Sequence, residues 1–417
     1  MIDPATGTDD TVDVLVVDGH IASIDPDPKQ AAKAEETFSA RGLIVAPGFI
    51  DLHVHLREPG QGYKETISSG TQAAAVGGFT SVCAMPNTAP VNDSPEITSW
   101  MLSPDRGAVV NVLPIAAATS GSNGEDITDY RGLRRAGAIA VTDDGKPILD
   151  DTMMEEALRL AAKVGFPVVQ HAEDSHMTAG ASMNAGPVSF RLGLRGWPNE
   201  AEASIVARDL ELARRTRAQL HVAHISTAEA LASVQKARLA GVQVSCEVTP
   251  HHFTLIDENV GEYDTHFKMN PPLRSSEDRQ AMIAGLLNGT IDAIATDHAP
   301  HARHEKEVEF DKAAFGVTGL ETALALALTE LHHKHKVPLK RVIELFSTNP
   351  ARLFGLRGRG SLEKGAHADV TIFDPKAKWK FDASKSKSKS RNTPFDGWQF
   401  TGRPIATIVS GKIVHRS

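Results

Sequence analysis

The chain has 417 residues, 41% of them hydrophobic and 23% charged, with a formal net charge of −8. That length suits one large barrel with an accessory domain, or about two to three average domains, and the balance excludes a disordered or fibrous chain. No concentrated basic stripe suits nucleic acid, and no apolar stretch approaches the roughly 18–20 residues of a membrane span. Cys83 and Cys246 lie inside apolar runs. Two such cysteines form no disulfide framework, so with no signal peptide at the start the expected compartment is the cytoplasm.

Residues 12–17 are Val-rich, and after a turn residues 19–24 read as a second strand. From about residue 43 to 355, short β-like runs alternate with helical patterns. The runs cover residues 43–51, 79–85, 109–116, 138–142, 167–170, 219–223, 242–247 and 291–296. Most are short, continuous and apolar, as parallel strands buried on both faces are. Between them, residues 152–164 place Met154, Ala157, Leu158 and Ala161 on one stripe and stop at Gly165, a helix breaker. Ser226-Thr-Ala-Glu229 has the spacing of a capping box before a helix over residues 230–239. Residues 318–336 carry Leu320, Leu324, Leu328 and Leu331 at helical spacing.

Eight such alternations predict a (β/α)8 barrel, an α/β fold, with a doubly wound sheet as the structural alternative. The tail returns to β patterns at residues 368–373, 404–409 and 413–414 without helices. A small β-sandwich-like domain built from both termini is therefore expected, residues 1–45 and 356–417, beside a barrel of residues 46–355. The basic, Ser-rich run at residues 376–391 reads as a solvated loop.

In a parallel barrel the functional residues sit at the carboxyl ends of the strands. The first run leads into Asp51-Leu-His53-Val-His55-Leu-Arg57. Side chains in a strand repeat every two residues, so His53 and His55 face the same way and make half a metal site. The fourth run passes into Asp143-Asp144-Gly145, the fifth ends at His171, the sixth at His224, and the eighth at Asp297-His298-Ala-Pro-His301. Four histidines and two carboxylates at one barrel mouth suit two divalent ions, zinc by ligand preference. Such a pair makes hydroxide available near neutrality, and a carboxylate beside it can shuttle a proton to a leaving nitrogen. The apparatus serves hydrolysis of an amide-type bond, or its reversal.

The motifs that hold these residues are Asp51-Leu-His-Val-His-Leu-Arg-Glu-Pro-Gly60, Met85-Pro-Asn-Thr88, Thr142-Asp-Asp-Gly145, Gln170-His-Ala-Glu-Asp174 and His224-Ile-Ser-Thr227. They continue as Glu247-Val-Thr-Pro-His-His252, Lys268-Met-Asn-Pro-Pro-Leu-Arg274, Ala295-Thr-Asp-His-Ala-Pro-His301, Phe315-Gly-Val-Thr-Gly-Leu-Glu321 and Lys387-Ser-Lys-Ser-Arg-Asn-Thr-Pro-Phe395. Over nearly the whole chain this set resembles the amidohydrolase superfamily, and within it the dihydroorotases found in many bacteria.

The resemblance implies a zinc-dependent cyclic amidohydrolase that interconverts N-carbamoyl-L-aspartate and L-dihydroorotate in pyrimidine biosynthesis. It implies one zinc on His53, His55 and Asp297, a second on His171 and His224, and a bridge through Asp144, with Asp143 as the fallback. Asp297 would be the general acid/base. Arg57, Asn87 and His301 would hold the substrate carboxylate and Asn270 the ring, while main-chain groups near Phe315 and Gly316 would close the site. His251, His252 and His298 are expected either to support the ligands or to be structural, and residues 301–307 to form a mobile loop.

Hydantoinases, dihydropyrimidinases and allantoinases commonly bridge their metals with a carboxylated lysine at the end of the fourth strand. Here Asp143-Asp144-Gly145 stands there, with Lys146 just beyond. A reading from another class is a non-catalytic barrel that supports aspartate carbamoyltransferase. Such scaffolds typically lack some ligands, whereas every ligand position is filled here. The resemblance also implies a homodimer, and an active enzyme remains compatible with association with aspartate carbamoyltransferase. Family members usually open with a further β-strand before Ile2, so either the small domain lacks that edge strand or the chain starts upstream of Met1.

Overall fold

The computed structural model describes residues 1–417. Eight parallel strands follow one another in chain order: β1 (Phe49–Val54), β2 (Phe79–Ala84), β3 (Asn111–Ala117), β4 (Ala140–Thr142), β5 (Val168–Gln170), β6 (Leu220–Val222), β7 (Val244–Val248) and β8 (Ala293–Ile294). The two ends of this sheet meet. His55 N–H donates to His298 O at 2.9 Å, Val54 and His298 form a parallel bridge, and Thr296 N–H donates to Asp51 Oδ1 at 3.0 Å. A doubly wound sheet keeps two free edges, so this closure decides for the (β/α)8 barrel.

Ile50, Leu52, Cys83, Ile115, Ala140, Val169 and Ala293, drawn from β1 to β5 and β8, pack into one cluster. A single cluster running from β1 to β5 and including β8 is what the filled interior of a closed barrel contains. A larger cluster of 63 buried residues includes apolar residues of both strands and surrounding helices. The helix Asp151–Val164 shows how sequence builds that layer. Asp150 caps its first turn, Gly165 ends it, and Met154, Ala157, Leu158 and Ala161 are buried.

The apolar run at residues 43–51 is two strands, not one. Ile44–Pro47 pairs antiparallel with Val370–Phe373, and only the residues after Gly48 enter β1. At that corner a Cβ on residue 48 would lie 2.2 Å from Thr80 Oγ1, so the sharp approach of the two sheets requires glycine. Phe49 then packs on Phe79, Phe346 and Phe373 with ring centroids 6.3, 5.3 and 6.0 Å away. Burial of that ring contributes about 2–3 kcal/mol and joins barrel to terminal sheet.

That sheet has the order Lys412–Arg416, Gln399–Val409, Val370–Lys380, Ile44–Pro47. The hairpin Val14–Val17/His20–Ile24 packs Val14, Val16, Ile21 and Ile24 against Val370, Ile372 and Ala406. The result is a small two-layered β domain drawn from both termini.

Two helix expectations shift. Thr227, not Ser226, caps Ala228–Leu239: its hydroxyl accepts from Ala230 N–H, and both hydroxyls donate to the buried Glu202. The expected helix at 318–336 begins only at Ala323 and becomes π-helical over Leu328–Lys334. Thr318 N–H instead donates to Asn392 O. The basic run is not a plain solvated loop either: part of it lies in the strand Val370–Lys380, and Ser388 and Ser390 are buried.

Candidate active site

His53 and His55 close β1, Asp144 follows β4, His171 follows β5, His224 follows β6 and Asp297 follows β8. All six are buried at the carboxyl-terminal mouth. Arg57, His224 and Asp297 have φ values of 62°, 30° and 45°, left-handed backbone that costs non-glycine residues about 1–3 kcal/mol each. Such strain persists where the surrounding fold imposes it, and here it aims three side chains into one cavity.

His53 Nε2 lies 3.4 Å from Asp144 Oδ1 and 3.5 Å from Asp297 Oδ1, buried and without a hydrogen-bond partner. His55 Nε2 is 3.1 Å from Asp297 Oδ1 and 3.6 Å from Asp144 Oδ2. On the other side His171 Nδ1 stands 2.9 Å from His224 Nε2 and 3.7 Å from Asp144 Oδ1, with His224 Nε2 3.9 Å from that oxygen. His53, His55 and Asp297 form one group with ligand atoms within 4.8 Å of one another, and His53, Asp144 and His224 form another. His171 joins through its contact with His224.

Hydrogen bonding fixes the tautomers. Asn87 Nδ2 donates to Asp144 Oδ2 at 3.0 Å, so Asn87 Oδ1 accepts from His55 Nδ1–H at 2.8 Å and leaves the lone pair on Nε2. Glu173 Oε2, 3.0 Å from His171 Nε2, draws that proton and leaves the lone pair on Nδ1. Glu247 Oε1 lies 3.4 Å from His53 Nδ1, a charge contact that keeps a carboxylate on the side of the ring opposite Asp144. The nitrogens His53 Nε2, His55 Nε2 and His171 Nδ1 each lie within 3.7 Å of a carboxylate oxygen of Asp144 or Asp297.

Burial raises the carboxyl of Asp297, but the charges of His53, His55 and His224 outweigh it and hold it well below the usual carboxylate range. Asp144 is held low in the same way, chiefly by His53. Burial pulls His53 down, yet Asp144 and Asp297 drive it well above its ordinary value. Unpartnered nitrogens among carboxylates, with a strong pull for positive charge, are the donor set that divalent cations take.

Asp143 turns away. Its carboxylate accepts from Thr119 N–H at 3.0 Å and from the Thr119 hydroxyl, leaving Asp144 as the inward carboxylate of the pair. Lys146 is exposed.

A cavity of about 270 Å³ opens beside the cluster, lined by Arg57, Asn87, Asn270, His301, Phe315 and Gly316 among others. Arg57 Nε donates to Pro300 O at 3.1 Å and Nη2 to His301 Nε2 at 3.3 Å. Burial and Arg57 push His301 down to about 3, so it is a neutral ring. Asn270 Nδ2 donates to Glu173 Oε2 at 3.0 Å, and its Oδ1 is buried without a partner. Gly316 lines the cavity with its main chain already engaged: its N–H donates to Lys268 O and its carbonyl accepts from Asn392. It walls the site rather than offering a free donor.

Of the other histidines, His252 is held between Thr249 Oγ1 and Pro271 O, and His298 between Gly319 N and Glu65. His251 is buried and pushed down to about 4 by that burial. His332 and His333 lie away from the site, with Nδ1 of the first and Nε2 of the second 2.7 Å from Val337 O and Pro375 O. Residues Arg303–Lys306 form a helical turn with Lys306 buried, where a mobile loop was expected. The partners Glu173 and Glu247 escaped the sequence reading. Glu173 left one local signal, a carboxylate two residues beyond a strand-end histidine.

A dihydro-orotase-like family model matches residues 42–230. The chain is 52% identical over 412 residues to the dihydroorotase of Solibacter usitatus, a match covering 99% of this chain and 95% of that protein. It is 48% identical over 417 residues to the dihydroorotase of Geotalea daltonii, covering 100% and 97%. Among solved structures, the L-hydantoinase (dihydropyrimidinase) of Arthrobacter aurescens aligns with a TM-score of 0.87 at 27% identity, over 97% of this chain and 92% of that one. The architecture is therefore shared with hydantoinases, whereas the sequence runs far closer to the dihydroorotases. With half of all positions identical along its full length, the chain belongs to the dihydroorotase family.

Proposed function

We propose that the chain is a dihydroorotase, interconverting N-carbamoyl-L-aspartate and L-dihydroorotate in pyrimidine biosynthesis. The observation that carries this reading is the pairing of Arg57 with neutral His301 on the wall of a cavity whose other side is the His–Asp cluster. A guanidinium suits a carboxylate, and dihydroorotate has one where simple hydantoins do not. Asp144 at the end of β4, with Lys146 exposed, argues the same way against a carboxylated-lysine bridge.

The cluster fits zinc: His53, His55 and Asp297 would hold one ion and His171 and His224 a second, with Asp144 available to both. Zinc there would supply Lewis acidity and make hydroxide available near neutral pH. The protein's own part is positional and protonic. Arg57 and His301 take the carboxylate, and the second N–H of Asn87 remains for substrate. Asn270 Oδ1 accepts a ring N–H, and Phe315 and Gly316 close the wall. In hydrolysis, water adds to the ring carbonyl carbon, the carbon–nitrogen bond breaks, and Asp297 carries the proton from water to the departing nitrogen. Cyclisation reverses those steps with Asp297 starting protonated.

The barrel of residues 46–355 would form the catalytic unit, working in the cytoplasm as a homodimer. Association with aspartate carbamoyltransferase is compatible with that activity. The test is hydrolysis of dihydroorotate by the purified protein, with hydantoin and allantoin as controls and metal counted in the same sample. Selective turnover of dihydroorotate with about two zincs per chain is expected; no turnover of any ring at full metal would overturn the reading.

A further inference from the structure

A strap of the chain, residues 386–392, leaves the small β domain and crosses the rim of the barrel mouth. Its serines face inward. Ser386 Oγ donates to Glu321 Oε1 at 2.6 Å, Ser390 Oγ to Lys64 O at 2.8 Å, and Ser388 Oγ to Glu65, which also contacts His298. The intervening basic residues stand outward, as the two-residue period of an extended segment requires. The strap thereby delivers Asn392 into the protein, 2% exposed.

There Asn392 joins two segments distant from it in sequence. Its Oδ1 accepts from His301 N–H at 3.0 Å, and its Nδ2 donates to Ala299 O at 2.9 Å and to Gly316 O at 3.0 Å. Its carbonyl accepts from Thr318 N–H at 2.9 Å. One segment carries His301, the other Phe315 and Gly316, and both line the cavity. They are already in close contact, since a Cβ on Gly316 would lie 2.7 Å from Ala299 O and 2.9 Å from His301 Cδ2. A planar amide with one acceptor and two donors can serve an N–H on one segment and carbonyls on both. No carboxylate or hydroxyl side chain offers that set.

We propose that Asn392 is a positioning residue for substrate recognition, through which the small β domain holds His301 beside Arg57 and against the Gly316 wall. The proposal rests on the reading of Arg57 and His301 as the carboxylate-binding pair. The metal-ligand side chains are held by other partners, Asn87, Glu173 and Glu247 among them, so binding of substrate should suffer before chemistry does.

The test compares the parent enzyme with Asn392→Ala and Asn392→Asp, with metal counted, dihydroorotate hydrolysis assayed, and amide hydrogen exchange followed over residues 298–318. Asn392→Asp keeps the acceptor for His301 and loses both donors, so it serves should the alanine variant not fold. The expected result is a KM raised about tenfold or more, with kcat within about threefold and metal content unchanged. Faster exchange should be confined to residues 298–318. An unchanged KM in a folded variant overturns the proposal, as does loss of kcat and metal at constant KM. Failure of the parent to turn over dihydroorotate would instead sink the functional reading. The exchange data alone then decide: local acceleration supports the clamp, and none removes it.

Discussion

Glu173 Oε2 accepts from Asn270 Nδ2 at 3.0 Å and lies the same distance from His171 Nε2. An ionised carboxylate only accepts, so Asn270 must turn its amide nitrogen towards Glu173 and its Oδ1 into the site. That oxygen is buried with no partner in the protein. A ligand that satisfies it brings a donor, as the ring N–H of dihydroorotate would. One carboxylate thus sets both the tautomer of His171 in the His–Asp cluster and the direction of the Asn270 amide.

Removing it should damage both. For Glu173→Ala, metal affinity should fall about 10- to 100-fold, as for other partners that orient metal-facing histidines. KM for dihydroorotate should rise with it. Chelator-competition titration of zinc beside steady-state kinetics reads the two effects, and a variant with parental zinc affinity would disprove the link to His171.

Asp297 touches both His53 and His55 and faces the cavity. Asp297→Asn keeps the shape and removes the capacity to take up a proton. The expected loss in kcat is about 10²- to 10⁴-fold, with zinc content largely retained. Near-parental kcat would take Asp297 out of the proton-transfer role.

Arg57 is buried beside His301, where burial lowers its pKa without approaching neutrality of the guanidinium. Losing a charge-assisted hydrogen bond to a carboxylate costs about 1.5–3 kcal/mol, so Arg57→Met should raise KM roughly 10- to 100-fold. If KM stays constant, the substrate carboxylate binds elsewhere.

Lys306 points Nζ at Lys268 O, Ala314 O and Gly316 O at 3.2, 2.8 and 3.2 Å. Burial, and then Lys268, brings its pKa from 10.5 down to about 7. With the folded value below the unfolded one, the unfolded chain holds the proton more tightly. The penalty on folding is therefore complete below pH about 7 and fades as pH rises towards 10.5. Denaturant unfolding should show the parent gaining stability relative to Lys306→Met between pH 7 and pH 10. A difference independent of pH would mean that the three carbonyls keep the ammonium charged throughout.

Much of this architecture is legible in the sequence. Parallel strands covered on both faces are written as short apolar runs, and a strand's end with its two-residue period locates His53, His55, His171 and His224 at one mouth. Local pattern has a limit, however. Residues 43–51 read as one strand because both halves are apolar, yet Val370–Phe373 takes the first half into another sheet. Asp143 and Asp144 are neighbours of identical chemistry, and it is the contact with Thr119, far off in sequence, that holds one of them aside.

The sequence by itself determined the class of fold, the family and the residue types gathered at the barrel mouth, because hydrophobic period and strand-end position are properties of each segment alone. The tertiary structure decided which groups those residues answer to. Glu173 reaching Asn270, Glu247 beneath His53, and Asn392 between His301 and Gly316 are contacts across long stretches of chain. Hydrogen bonds of that range impose no period on the sequence around them, so a polar, Ser-rich strap looked solvated until its acceptors at Glu65 and Glu321 were in place.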